Sequence, residues 1–241
     1  MAGDNPEGVP LELLADLQKE LQGALNSLGG QLPKAITDRY YLNAGAYINK
    51  AADGYLMLRT AGRVDASKLL IRPAIEMMIR TEALRRQPDL FYQIGYTESQ
   101  DDKRWFGPAA ARVGAAYDRK ADPPGWSEFE TKYRQEFPNT PPKRRILTLA
   151  CAAQVAGLKG YYDSHYRMYC KYAHAALRAT GGSLDPLSDR EDTRTMVLCA
   201  ISALDAVAAI GASVPQLEAL RIRCDDLSKQ PPVRFGRMLV E

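Results

Sequence analysis

The sequence predicts an all-α fold, a helical bundle of about seven to nine helices with an irregular helical insertion. Three observations predict it. Leu11, Leu14, Leu17, Leu21, Leu25 and Leu28 recur at three-to-four spacing, the period of one helix face. Pro and Gly clusters cut the chain into runs of helical length. Nowhere does an alternating apolar–polar pattern of a strand persist, and no internal repeat is present.

The elements follow in order. Residues 1–9 read as a loose tail. Pro10 suits a helical first turn and Gly29-Gly30 ends the leucine run. A second helix is expected from Pro33 towards Arg59, with Gly45 and Gly54 marking weak points or close helix packing. Asp65 or Ser67 caps a third helix reaching Arg86, in which Pro73 marks a kink or the true start. Residues 89–142 are the least regular part. They hold a helix over Ser99–Lys120 with Trp105, Phe106, Val113 and Tyr117 on its apolar side, then a short one over Trp126–Phe137 between two Pro-rich breaks. We expect one domain over residues 1–241, with 89–142 as an insertion or lid. Lys143-Arg144-Arg145 stands where the next helix is predicted to begin. Gly160 breaks that helix, and a tyrosine-rich helix follows to Gly181-Gly182. Ser183–Asp189 reads as a loop, with Ser188 and Glu191 as a capping box for the most apolar helix, which runs to Ser213. Pro215–Ser228 forms the last helix before a basic tail.

Composition limits the function. A charged fraction of 25% beside 46% hydrophobic residues is that of a soluble globular domain. A net charge of +3 is too mild to identify a nucleic-acid partner by itself. Cys151, Cys170, Cys199 and Cys224 form no CxxC pair and read as free buried thiols rather than disulfides or zinc ligands. The first ten residues carry no basic and apolar signal-peptide pattern. The Met196–Val214 run contains Asp205 and reads as a bundle helix, not a membrane span. The expectation is a cytoplasmic protein with no membrane contact. Phosphate loops, dinucleotide fingerprints, HExxH and GxSxG are all absent, and no cofactor or metal is called for.

The chemistry concentrates in Gly160–Leu177. Both histidines, His165 and His174, and five of the thirteen tyrosines lie there: Tyr161, Tyr162, Tyr166, Tyr169 and Tyr172. On a helix, Arg167 and His174 share a stripe, offset by roughly 20° and about 10 Å apart in rise. Cys170 and Lys171 accompany them. An imidazole moves protons near neutral pH and a guanidinium braces phosphoryl oxygens. The same spacing also fits an aromatic core helix whose Arg and His only find structural partners. Upstream, Arg72, Glu76 and Arg80 form a ladder on an otherwise apolar helix, either solvated or part of a half-buried polar network. Lys143, Arg144 and Arg145 are a candidate phosphate-backbone patch or a solvated charge run.

Tyr166-Arg167-Met168-Tyr169-Cys170-Lys171-Tyr172-Ala173-His174 resembles the Arg-x(4–6)-His pattern of the HEPN superfamily. With Arg72-Pro73-Ala74-Ile75-Glu76 as an upstream R-x-x-x-E element, the chain is similar to an uncharacterised bacterial HEPN-like family over roughly residues 40–212. The resemblance implies a helical homodimer and a metal-independent endoribonuclease leaving 2′,3′-cyclic phosphate ends on single-stranded RNA. It also implies a toxin or phage-defence role, with an antitoxin or regulatory protein as a possible partner. Arg167 and His174 would be catalytic, supported by Arg72, Glu76, Cys170 and Lys171. Tyr166, Tyr169 and His165, with Lys143, Arg144 and Arg145, would bind substrate. Met168 and Cys170 depart from the pattern, where a polar residue and a serine are usual. The alternative is a non-catalytic module binding nucleotide, RNA or protein.

Overall fold

In a computed structural model, residues 8–28, 33–112, 122, 125–170 and 186–229 are described, and all their regular structure is helical. The helices are α1 (Gly8–Ser27), α2 (Ile36–Thr60), α3 (Val64–Lys68), α4 (Ile71–Arg86), α5 (Phe91–Arg112), α6 (Trp126–Glu136), α7 (Leu149–Val155), α8 (Lys159–Tyr161), α9 (Pro186–Ala209) and α10 (Leu217–Lys229). A 3₁₀ turn, Pro88–Leu90, leads into α5, and a π-helical turn, Tyr162–Tyr166, carries α8 on into residues 167–170.

The hub is α9, which packs against α1, α2, α4 and α10. Met196, Val197, Cys199, Ala200, Ala203, Leu204, Ala206 and Val207 are all buried on it. Its small residues let neighbouring backbones come close. Gly45 of α2 uses that freedom: a Cβ there would stand 2.5 Å from Val207 Cγ1. The expectation that Gly45 marks close packing therefore has a physical cause. From α1 the hub receives Leu14, Leu17 and Leu21, each fully buried. No helix among the described residues is long and apolar enough to cross a membrane.

Several boundaries differ from the sequence reading. The third predicted helix is two, with a break at Leu69-Leu70, and Pro73 falls in the first turn of α4, where its missing N–H costs nothing. Neither Asp65 nor Ser67 caps α3; Arg63 is at its N-cap and Ser67 Oγ instead donates to Val64 O at 2.6 Å. The helix predicted to start by Lys143 starts at Leu149, capped by Thr148 Oγ1, and the basic triplet lies in a strap without regular structure. Gly157, with φ +70°, ends α7, whereas Gly160 is helical. Pro186 opens α9 inside the predicted loop, so Ser188 is within the helix and not at a capping position. Cys199 and Cys224 are buried thiols as expected, but Cys151 is exposed. The predicted residues Val113–Lys120, Tyr172 and the Gly181-Gly182 end lie outside the described residues.

The 89–142 segment is more regular than its sequence suggests. Its helix begins at Phe91, eight residues before Ser99. Rings then join α5, α6 and α2: Phe91–Phe129 at 5.5 Å, Tyr92–Tyr133 at 5.1 Å, Trp126–Phe129 at 4.9 Å and Tyr40–Phe91 at 5.9 Å. A carboxylate from α6 closes the start of α2. Ala35 has no side chain to cap that helix, and Glu136 accepts from Ile36 N at 2.7 Å and from Thr37 Oγ1. Negative charge at a helix N-terminus also complements the macrodipole. Glu130 holds the other side of α6, accepting from Tyr92 Oη, Trp126 Nε1 and Arg144.

Two outcomes are expected. Gly45→Ala forces Val207 aside and lowers the unfolding free energy by about 1–3 kcal/mol, read by denaturant titration. The Glu130 carboxyl is held below its ordinary value, first by the Tyr92 hydroxyl, then by Arg144 and Trp126 against the opposing cost of burial. A depressed folded value means stability fully present above the unfolded pKa of 4.5 and lost as pH falls through the folded one. Glu130→Gln should therefore flatten the acid limb of a thermal-midpoint profile below that pH.

Candidate functional site

The two motif elements, about ninety residues apart, meet in space. Tyr166 Oη donates to Glu76 Oε1 at 2.7 Å, and Arg72 Nε donates to the same oxygen at 3.2 Å. Arg72 and Glu76 share a face of α4 because they are one turn apart. The Arg72 guanidinium also lies 5.8 Å from the Tyr166 ring centroid. Both members of the ion pair are half-buried, so the pair is more than a solvated ladder. Arg80 leaves the group and pairs with Glu98 at 3.2 Å.

Burial, the Glu76 hydrogen bond and the adjoining Cys170 raise the Tyr166 phenol well above its ordinary pKa. It remains a proton donor to Glu76 through the neutral range. Cys170 adjoins Tyr166 in this cluster. Arg167, which follows Tyr166 in the chain, is exposed and makes no ion pair among the described residues. His174 and Lys171 lie outside the described residues.

The π turn organises the tyrosines ahead of Arg167. Side chains four apart stack along it. Tyr162 and Tyr166 stack at 5.0 Å with 17° between planes, and Tyr161 and His165 stack at 4.4 Å with 10°. π turns inside helices occur often at functional sites. Lys159 caps the first stack, with Nζ 5.5 Å from the Tyr162 centroid, and pairs with Asp163. Sequence reasoning gave Tyr162 no role and passed over Lys159, because a tyrosine-rich run does not say which rings will stack.

Other expected site residues are placed elsewhere. Tyr169 is 1% exposed and its hydroxyl donates to Asp192 in the core, so it has no surface for a substrate. Lys68 Nζ lies 3.3 Å from the other Asp192 oxygen. Tyr55 Oη and Thr193 Oγ1 hydrogen-bond at 2.9 Å beside them. This buried network fastens the tyrosine segment to α9 and α3. Asp192 was legible only as an acid near an apolar helix, and nothing in the sequence singled out Lys68.

His165 lines a separate cleft of about 340 Å³ with Tyr161, Glu191, Arg194 and Thr195. Its Nδ1 is 2.8 Å from Ser164 Oγ. Desolvation lowers its pKa, with Arg194 acting the same way and Glu191 opposing, so the ring is neutral at neutral pH. Of the basic triplet, Arg144 is structural: it pairs with Glu130 at 3.0 Å and Asp122 at 3.1 Å and lies over Trp126. Lys143 and Arg145 are exposed on the strap. Among the described residues no three His, Cys, Asp or Glu side chains converge to hold a metal ion.

Residues 46–192 match a family of unknown function, DUF5677. The chain belongs to that family. The DUF5677 region begins in α2 and ends at Asp192, so it contains the Arg72–Glu76–Tyr166 cluster and the buried acid that anchors it. No curated protein and no solved structure matches the chain.

Asp192→Ala would leave the Lys68 ammonium buried without this carboxylate. It should lower stability by about 3–5 kcal/mol, as removal of one partner of a buried pair does, and reduce protection of the Tyr166–Tyr169 amides in hydrogen exchange.

Proposed function

We propose that this DUF5677 protein is a metal-independent endoribonuclease of HEPN type that acts as a homodimer on single-stranded RNA. The observation that carries the proposal is the Tyr166–Glu76 hydrogen bond. It joins the two elements on which the resemblance rests and leaves Arg167 exposed beside them. In the reaction, the ribose 2′-oxygen bonds to the adjacent phosphorus and the P–O5′ bond breaks. The 2′-hydroxyl gives up its proton to a base and the 5′-oxygen receives one, leaving a 2′,3′-cyclic phosphate. His174 would carry protons and Arg167 would stabilise the charge on the phosphoryl oxygens. Arg72 and Glu76 would set the position of Tyr166, and through it the segment bearing Arg167. A toxin or phage-defence role, restrained by an antitoxin or regulatory protein, belongs to the same proposal.

A second reading, a non-catalytic module binding nucleotide, RNA or protein, is favoured by Met168. This residue follows Arg167 and packs half-buried against the core, so it brings no polar group to the site.

The test is incubation of single-stranded RNA with the purified protein in EDTA. The first reading expects products ending in 2′,3′-cyclic phosphate. Loss of a general acid–base group costs about 10²–10⁴-fold, so His174→Ala should slow cleavage by at least about 100-fold, and Arg167→Ala comparably. Undiminished cleavage by the His174→Ala protein sinks the assignment of the base. RNA binding without cleavage favours the second reading.

A further inference from the structure

A second cleft, of about 430 Å³, opens between α2, α5 and α6, on residues that the Tyr166 cluster does not use. Its volume is in the range of small-molecule sites. Four rings line it: Tyr40, Phe91, Trp126 and Phe129. They hold one another edge-on or tilted through the Tyr40–Phe91, Phe91–Phe129 and Trp126–Phe129 contacts. Gly95 lets Phe129 lie directly on α5, because a Cβ there would stand 2.7 Å from Phe129 Cζ. The aromatic wall is therefore built by packing.

The polar lining is acidic. Glu98 and Asp102 stand one turn apart on α5 and both line the cleft. Arg80 pairs with Glu98 from outside the lining, while Asp102 makes no ion pair among the described residues. Against them stands Arg39, whose Nε–H is engaged by Pro33 O at 2.7 Å. The three charged lining residues sum to −1 (two carboxylates, one guanidinium), with Arg80 behind Glu98 as a second cation outside the lining. Desolvation raises the Glu98 carboxyl above its ordinary value, Arg80 opposing it and Asp102 and Asp101 adding to it. Aromatic faces attract cations through their quadrupole, and the attraction grows as the site is desolvated.

We propose that this cleft binds a small organic cation, an alkyl- or arylammonium ion, whose apolar body lies among the four rings and whose charge faces Glu98 and Asp102. The site is independent of the ribonuclease reading. Aromatic lining alone would accept any apolar body; the carboxylates make the charge decisive.

The probe is benzyltrimethylammonium, titrated against the full-length protein by calorimetry and by ligand-observed NMR, with benzyl alcohol as the neutral comparison and benzyl phosphate as the anionic one. The cation is expected to bind at least about tenfold more tightly than either, a difference of about 1.4 kcal/mol. Glu98→Gln combined with Asp102→Asn should remove that preference while leaving the weak binding of benzyl alcohol. Both residues are exposed, so the fold should tolerate the change, and an unchanged thermal midpoint checks this. Phe129→Leu should weaken all three probes. The proposal is overturned if the cation fails to bind at millimolar concentration, if benzyl alcohol or benzyl phosphate binds as well, or if the double variant keeps the cation preference. Loss of RNA cleavage elsewhere on the molecule would not alter any of these outcomes.

Discussion

The structure around the candidate site depends on one buried carboxylate. Asp192 lies at 2% exposure and takes a hydrogen bond from Tyr169 and the charge of Lys68. A carboxylate in the interior is costly unless it is paired and hydrogen-bonded. Here it gathers three elements. Lys68 comes from the short α3, Tyr169 from the helical run after the π turn, and Asp192 from the hub helix. An apolar side chain at this point could fill space without fixing how the tyrosine segment is rotated. The directional bond to Tyr169 constrains that rotation. Three residues earlier on the same segment, Tyr166 meets Glu76. With both tyrosines tied, the exposed direction of Arg167 follows from the backbone between them.

Some of this was legible in sequence and some was not, for physical reasons. The leucine period of α1 and the apolar run of α9 are local patterns, and local patterns survive without tertiary context. Gly45 could be read as close packing because a glycine inside a strong helical pattern costs stability unless something exploits the missing Cβ. The R-x-x-x-E and Y-R elements could be paired through resemblance, and they do touch. The roles of individual tyrosines could not be assigned. Tyr166 and Tyr169 sit three apart in one tyrosine-rich run, yet one meets α4 half-buried and the other is core. Helical phase decides the difference, and the π turn shifts that phase by an amount no composition rule gives. The 89–142 segment misled for another reason. Its aromatic residues look irregular along the chain because they satisfy contacts between α2, α5 and α6, not a single helix face.

The basic triplet shows how a charge run divides once the chain is folded. A run of three cations suggests a uniform electrostatic surface. Arg144 stays exposed, but its charge is opposed by Glu130 and Asp122 and its guanidinium lies over Trp126, which holds the strap against α6. What remains is two separated cations. A phosphate backbone approaching this face would meet about the charge of an ordinary protein surface, and long-range attraction for RNA would have to come from elsewhere. That fits the mild net charge of +3.

The two readings of the site therefore separate on a narrow question of chemistry. The Arg72, Tyr166 and Glu76 cluster is charge-balanced, one guanidinium against one carboxylate, and the raised Tyr166 pKa keeps its proton in place. Such a group can position but is poorly suited to exchange protons during turnover. Catalysis in this region would have to rest on groups outside that set, and Arg167 is a described residue that meets that condition. Arginine cannot serve as the proton carrier, because its charge is fixed. A ribonuclease built on this scaffold consequently needs an imidazole brought to Arg167, within one chain or across two. A binding module needs only the exposed guanidinium and the stacked tyrosines beside it. The requirement for His174 is what makes the catalytic reading the more demanding of the two, and the more readily refuted.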